Sequence, residues 1–234
     1  MVGTIPCLIP TVDHWGFTFA ELYGSSGSDD STSTSASIAS DSKDYRNRLW
    51  GQTAIVTGAN SGLGYEISLA LARLGVSVTM ACRDLTKCEA AAAKIRADKM
   101  VVQRGKGDRD LEDPGKNIAT MQVDISSLKS VSAFCDSYHF RHFDTEGNPL
   151  PLDMLFLNAG MTPRNPKEDG SVFLTPDGIE ITFATNVVGH HLMYKLLEPS
   201  LRHSPARKTP ARIVLTTSAT SMKVASKHTK FERR

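Results

Sequence analysis

The stretch TGANSGLG, residues 57–64, decides the fold of this chain. It follows the continuous apolar run TAIVT (53–57), which predicts a buried strand, and it opens GLGYEISLALARLG (62–75), whose apolar residues recur with a helical period. Glycines in a turn from strand to helix let the backbone take positive φ and approach an anion closely. The glycines of this turn are Gly58, Gly62 and Gly64. Their spacing is not GxGxxG, but their context predicts a phosphate-binding turn at a helix N-terminus.

Outward from this turn, β-rich runs alternate with helical patterns along the chain. The predicted strands are 53–57, 76–81, 118–123, 152–157 and 211–217. The predicted helices are 62–75, 84–99, 127–143 and 179–198. Such alternation predicts right-handed crossovers and a parallel sheet covered on both faces. We therefore expect an α/β fold with a doubly wound, Rossmann-like sheet of five strands, the fifth of them buried.

The two ends of the chain differ in composition from its centre. Between residues 25 and 42, nine Ser and two Thr occupy 11 of 18 positions, with little to bury. This pattern predicts a disordered, acidic extension over 1–48. Residues 222–234 carry five bases and one acid and are expected to be a basic tail. The predicted Rossmann-like domain therefore occupies 49–221.

Overall composition narrows the classes of function. The 27 basic and 25 acidic residues give a net charge of +2, which disfavours a nucleic-acid surface. The cysteines, at 7, 82, 88 and 135, show no CxxC or zinc-ligand spacing, so neither a metal site nor a disulfide framework is expected. This usage fits a reducing, cytoplasmic location, and an organelle stays open as an alternative. The N-terminus lacks a signal-peptide pattern, and no apolar run is long enough to span a membrane.

Four further motifs appear in a fixed order after the glycine turn. They are VDIS (123–126) ending the third strand, LNAG (157–160) ending the fourth, NVVGHH (186–191) in the last helix and TTSAT (216–220) after the fifth strand. Together with TGxxxGxG, this order resembles the short-chain dehydrogenase/reductase family over residues 50–221. Within that family, ACRDLTKCEAAAAKIR and GIEITFATNVVGHHLMYKLLEP look most like the retinol dehydrogenase-like and protochlorophyllide reductase-like branch.

The resemblance implies a nicotinamide cofactor and a set of site residues. The cofactor-binding residues it implies are Gly58, Asn60, Ser61, Gly62, Leu63, Gly64, Arg83, Asp124, Ile125, Asn158, Ala159 and Gly160. Ser218 takes the place of the catalytic Ser that hydrogen-bonds the substrate carbonyl or hydroxyl. Asn186 matches the Asn that holds a water in the proton relay. No metal ligand is implied.

Arg83 favours NADP(H) over NAD(H). It follows the second strand, where NAD-binding proteins offer an acid to the ribose 2′-hydroxyl. A guanidinium pairs bidentately with a 2′-phosphate, which an acid would repel. The alternative for Arg83 is a surface ion pair with Asp84.

Other candidate residues also have structural alternatives. Asp124 can cap the helix that starts near Ser127, a role compatible with contact to adenine. Asn158, Ala159 and Gly160 can form a tight turn alone. His190 and His191 are expected to be packed or hydrogen-bonded helix residues rather than metal ligands.

One family motif is absent. The family's chemistry places a Tyr and a Lys as YxxxK after the fifth strand, but no Tyr of this sequence has Lys four residues later. The family's later helices and last two strands are also absent, so the chain resembles a C-terminally truncated member. We therefore expect an NADP(H)-dependent oxidoreductase acting on a small apolar alcohol or ketone, such as a retinoid, steroid or pigment precursor.

Two alternatives stay open. One is a truncated, inactive nucleotide-binding isoform or pseudoenzyme, which could form a homo-oligomer or pair with a full-length relative. The other is a Rossmann-like domain of another class, such as a methyltransferase, which NAG and NVVGHH disfavour.

Overall fold

Five parallel strands lie side by side in the order β3-β2-β1-β4-β5. The computed structural model describes residues 49–104, 117–142, 147–162, 169–202 and 210–217. The strands are β1 (Thr53–Thr57), β2 (Ser77–Cys82), β3 (Ile118–Gln122), β4 (Met154–Leu157) and β5 (Arg212–Leu215). All four neighbouring pairs are parallel. The predicted doubly wound α/β fold with five strands is therefore confirmed.

The helices form two layers on this sheet. They are α1 (Gly62–Arg73), α2 (Leu85–Arg96), α3 (Lys99–Arg104), α4 (Leu128–Arg141), α5 (Ile181–Phe183) and α6 (Gly189–Arg202). Helices α1, α2 and α3 contact one another, and α4 packs against α6. A core cluster of apolar side chains joins α4 and α6 to the sheet and includes Ile55, Leu155, Phe134 and Met193. The short helix α3 was not predicted.

Local side chains explain where two of the helices begin. The Asp84 side chain accepts from the Lys87 N–H at 3.0 Å and caps α2, as predicted. Helix α4 is capped by Ser127, whose hydroxyl accepts from the Ser130 N–H at 3.3 Å. Asp124 instead holds the preceding turn, because it accepts from the Ser126 N–H at 3.0 Å. Capping of α4 by Asp124 was therefore a wrong alternative.

The last helical region is not the continuous α-helix that apolar periodicity predicted. Between α5 and α6, residues Ala184–Val188 form a π-helical segment. A π segment inserts one extra residue into the hydrogen-bonding period and often marks a functional site. The three segments together extend to Arg202, beyond the predicted end at 198.

The fifth strand is more exposed than predicted. Ile213 is 47% exposed and Leu215 is 60% exposed. Position at the edge of the sheet is not enough to expose a strand, because β3 lies at the other edge and Ile118 is 3% exposed beneath α2. The main packing partner of β5 among the described residues is β4, and no helix covers it to the same extent. An apolar run predicts a strand, but burial depends on neighbours that the run does not contain.

Two cysteines are joined, contrary to the expectation of no disulfide. Cys82 ends β2 and Cys88 lies in the first turn of α2, and their Cα atoms are 6.0 Å apart. Within six residues the chain turns from the end of β2 into the first turn of α2 and brings the two cysteines together. The absence of CxxC spacing therefore did not exclude this pair.

A crevice lies between β1 and β4, where the order in which strands are added to the sheet reverses. Strands β1 and β4 are neighbours, although β1 is followed in sequence by β2. Ligands of open α/β sheets bind at such a point, outside the carboxyl ends of the strands. The predicted extension 1–48, the tail 222–234 and Ser218 lie outside the described residues. In the described part of the chain, no helix has the length and apolar character needed to cross a bilayer.

Candidate functional site

A cleft of about 620 Å³ opens at the carboxyl ends of β1 to β4. Ten of the twelve predicted cofactor-binding residues line it: Gly58, Asn60, Ser61, Leu63, Arg83, Asp124, Ile125, Asn158, Ala159 and Gly160. The other two, Gly62 and Gly64, lie in the first turn of α1 and do not line the cleft. Residues separated by up to 102 positions in sequence therefore meet in one place.

The N-terminus of α1 is open toward an anion. Its N-cap residue Ser61 makes no side-chain capping bond, and the first turn holds no acid. Gly58 has φ +66° and Gly62 has φ +54°, the left-handed region in which glycine is at ease. The backbone N–H groups of such a turn can bind a phosphate without competition from a side chain.

Two glycines allow backbone segments to meet closely beside the cleft. A Cβ at Gly64 would collide with the Gly58 carbonyl oxygen and lie 2.6 Å from Asn158 Nδ2. A Cβ at Gly189 would collide with the Ile125 carbonyl oxygen. The start of α1 is therefore packed against the glycine turn and Asn158, and α6 is packed against the VDIS segment, by contacts that tolerate no larger residue.

Thr57 connects the glycine turn to the NAG turn. Its buried hydroxyl accepts hydrogen bonds from the Asn158 N–H at 2.8 Å and from the Ala159 N–H at 2.9 Å. The Asn158 side chain donates from Nδ2 to the Thr57 carbonyl at 3.1 Å. The sequence motif TGxxxGxG contains this Thr, but sequence reasoning gave it no role, so the motif held the signal that was missed.

Arg83 lies on the wall of the cleft next to the end of β2. Gln122 Nε2 at the end of β3 donates to the Arg83 carbonyl at 3.1 Å, which ties its backbone to the neighbouring strand. Asp84, its proposed alternative partner, makes an ion pair with Lys87 at 3.5 Å. The bond from the Lys87 N–H is the main cause that lowers the pKa of Asp84 below its ordinary value.

Asn186 lies in the π segment and reaches across to the loop after β4. Its Oδ1 accepts from the Met161 N–H and its Nδ2 donates to the Met161 carbonyl, both at 2.9 Å. The satisfied amide explains how this Asn is tolerated in a helical region. Its predicted role in holding a relay water stays a prediction.

The carboxyl end of β5 also reaches the site. Thr216, two residues before Ser218, donates its hydroxyl to Asn158 Oδ1 at 3.2 Å. Thr216 lines the cleft together with four residues of the loop and helix after β4 and the VDIS turn, namely Ser126, Met161, Ile181 and Thr185. Sequence reasoning did not propose these, because which residues face the cleft depends on loop paths without a periodic pattern.

Comparison with known proteins agrees with this geometry. A family model described as short chain dehydrogenase matches residues 52–230. Retinol dehydrogenase 14 of Mus musculus is 36% identical over 73% of this chain and 45% of that protein. The chloroplastic protochlorophyllide reductase of Chlamydomonas reinhardtii is 36% identical over 70% of this chain and 35% of that protein. This chain belongs to the short-chain dehydrogenase family, and its relatives confirm the predicted retinol dehydrogenase-like branch.

A solved structure supports the same conclusion about the fold. The menthone neomenthol reductase of Mentha piperita has a TM-score of 0.50 and 26% identity, covering 73% of this chain and 61% of that one. The chain spans less than half the length of the two curated relatives, at 45% and 35%.

Proposed function

We propose that this chain binds NADP(H) in the cleft at the carboxyl ends of β1 to β4, as the nucleotide-binding part of a short-chain oxidoreductase. The observation that carries the proposal is the position of Arg83 on the wall of the same cleft as the uncapped N-terminus of α1. The helix end would hold the pyrophosphate, and Arg83 would pair with the 2′-phosphate. Asp124 and Ile125 would contact the adenine, and Asn158, Ala159 and Gly160 would border the nicotinamide side.

The proposed reaction is hydride transfer between the nicotinamide and an apolar alcohol or ketone of the retinoid, steroid or pigment type. The likeness to retinol dehydrogenases and to protochlorophyllide reductase supports this substrate class. Ser218 would orient the substrate oxygen, and Asn186 would contribute to the proton relay. The proposed location is the cytoplasm, with an organelle as the alternative.

Titration of the full chain with NADPH and with NADH tests the cofactor. Cofactor fluorescence should show NADPH binding more tightly than NADH. The variant Arg83→Asp should weaken NADPH binding by about 10- to 100-fold, because it removes a charge-assisted bond and adds a repulsive charge. The matched control is Arg212→Ala, an exposed Arg at the opposite end of β5. Equal affinity of the unaltered chain for the two cofactors would refute the assignment to Arg83, and no binding of either would refute the function.

A second candidate function is nucleotide binding without turnover, alone or paired with a full-length relative. The sequence contains no YxxxK, and this favours the second candidate, since no Tyr has Lys four residues later to assist proton transfer. Oxidation of NADPH by the full chain in the presence of retinal, followed by absorbance, separates the two. Turnover that is lost in Ser218→Ala would exclude this second candidate, whereas binding without turnover would support it.

A further inference from the structure

Four polar groups surround the buried hydroxyl of Thr57. The Asn158 and Ala159 N–H groups donate to it at 2.8 and 2.9 Å. His190 Nε2 lies 3.1 Å from the same oxygen, and the Phe156 carbonyl oxygen lies at 3.3 Å. The Thr57 and His190 residues are 0% and 3% exposed, so water does not compete for these bonds.

The number of protons decides the direction of the bond to His190. A Thr hydroxyl has one proton to donate and two lone pairs that accept. The two backbone N–H groups can only donate, so they occupy both lone pairs. His190 Nε2 therefore cannot also donate to this oxygen and can only accept its proton. The Phe156 carbonyl oxygen, at 3.3 Å against 3.1 Å for Nε2, is the competing acceptor.

The ring of His190 must then be neutral, with its proton on Nδ1. An imidazolium would place a second N–H against an oxygen whose lone pairs are already used. Burial lowers the pKa of His190 to about 4. A weaker interaction with the backbone of Asn186, four residues earlier, raises this pKa in part. Because it raises the pKa, the interaction with Asn186 favours a proton on the ring. Among the described residues, Nδ1 has no partner that meets full hydrogen-bond geometry.

We propose that His190 is a positioning residue of the cleft, whose Nε2 accepts the Thr57 hydroxyl proton and so holds both Thr57 lone pairs on the Asn158 and Ala159 N–H groups. The NAG turn would then be fixed from behind by a histidine that does not line the cleft. The inference rests on the proposed function only for its effect on the cofactor. Without this acceptor, the hydroxyl turns toward Phe156, and its bonds to the two N–H groups weaken.

The tautomer of His190 tests the arrangement in the cofactor-free protein. Nitrogen-15 NMR of the full chain should show Nδ1 protonated and Nε2 bare, with no change between about pH 7.5 and 6, where an ordinary His titrates. A protonated Nε2, or an imidazolium in this range, would overturn the proposal. This result does not depend on whether the chain binds a nucleotide.

Two variants test the positioning role. Gln places a polar atom where Nε2 lies and can accept the Thr57 proton, whereas Leu fills space without accepting it. We expect His190→Leu to speed hydrogen exchange of the Asn158 and Ala159 amides by about tenfold and His190→Gln to restore most of the protection. The control is His191→Leu, because this neighbouring histidine is exposed. Equal exchange in the Leu and Gln variants would show a packing role only and would overturn the proposal.

The cofactor provides the second readout. NADPH affinity should fall by about tenfold in His190→Leu and by much less in His190→Gln. Where the unaltered chain binds no NADPH, the proposed function fails, while the tautomer and amide exchange still decide the role of His190. Where NADPH binds equally to all three chains, the influence of His190 on the cleft is refuted.

Discussion

The strands β1 and β5 have similar apolar sequences but opposite environments. TAIVT in β1 is buried, with Ile55 and Val56 both 0% exposed, whereas Ile213 and Leu215 of β5 are 47% and 60% exposed. Strand β1 has β2 and β4 on either side, while β5 has only β4 among the described residues. The comparison teaches that an apolar run is enough to predict a strand. Whether the side chains of that strand are buried depends on the elements that pack against it.

The difference extends to the ends of the two strands. The turn after β1 is held by the Thr57 bonds to the NAG turn and by the close packing of Gly64. Beyond β5, the Thr216 hydroxyl donates to Asn158 Oδ1 and its N–H donates to the Leu157 carbonyl. The closed side of the sheet, defined as β1 and β4 with α1 and α6, should therefore respond more strongly to substitution than the edge formed by β5.

The largest effect is expected at the close contact behind the cleft. Gly64→Ala should abolish measurable NADPH binding and lower the free energy of unfolding by about 3 kcal/mol or more, because the new Cβ collides with backbone that cannot move alone. Gly62→Ala is the control: nothing lies within 4 Å of its Cβ, and only its positive φ costs about 1 kcal/mol. Urea unfolding and cofactor fluorescence measure both. Equal losses in the two variants would contradict the steric argument.

The strand comparison itself is tested by one substitution on each side. Ile55→Ala should lower the free energy of unfolding by about 3 to 4 kcal/mol, since it leaves a cavity in a closed core. Ile213→Ala, at a position that is 47% exposed, should cost less than about 1 kcal/mol. Denaturant midpoints of the full chain give both values. A cost at Ile213 as large as that at Ile55 would show that β5 is covered in solution.

A pH effect should arise on the closed side from His190. Its folded pKa of about 4 lies below the ordinary value of 6.5, so the unfolded state binds the proton more readily between these values. This contribution to stability is complete above pH 6.5 and is lost as the pH falls toward 4, by up to about 3 kcal/mol. The difference between the stability curves of the unaltered chain and His190→Gln isolates it. A difference that does not change with pH would show that the ring is free to titrate.

The smallest effect is expected at a partly buried ion pair. Arg73 Nη2, at the end of α1, lies 2.7 Å from Asp98 Oδ2. The hydrogen bond from the Arg73 side chain is the main cause that lowers the pKa of Asp98. Asp98→Asn should cost about 1 kcal/mol near neutral pH. This stabilisation is present above the ordinary carboxyl pKa and is lost as the pH falls through the depressed folded value.

Lys195→Ala is the control for this pair. The Lys195 side chain is 51% exposed and pairs with Glu198, so its removal should change stability by less than about 0.5 kcal/mol. Thermal unfolding of the two variants at neutral pH compares them. A loss in Lys195→Ala that equals the loss in Asp98→Asn would show that burial does not distinguish these pairs.

Much of the site was predictable because its residues follow strands. Asn60, Arg83, Asp124 and Asn158 come directly after buried runs, and the carboxyl ends of parallel strands meet at one edge. Thr185 was not predictable in the same way, since it lies in a π segment that breaks helical periodicity. His190 was predicted as a packed or hydrogen-bonded helix residue, but its partner lies 133 positions away in sequence.

The sequence by itself determined the order of strands and helices and the glycine turn, because backbone preferences and apolar periodicity act over short stretches. The tertiary structure alone decided that β5 lies at an exposed edge, that Cys82 meets Cys88 and that Asn186 bonds to Met161. It also decided which ring nitrogen of His190 carries the proton. Each of these depends on groups that only folding brings together, and a hydrogen bond or a buried surface exists only when both partners are in place.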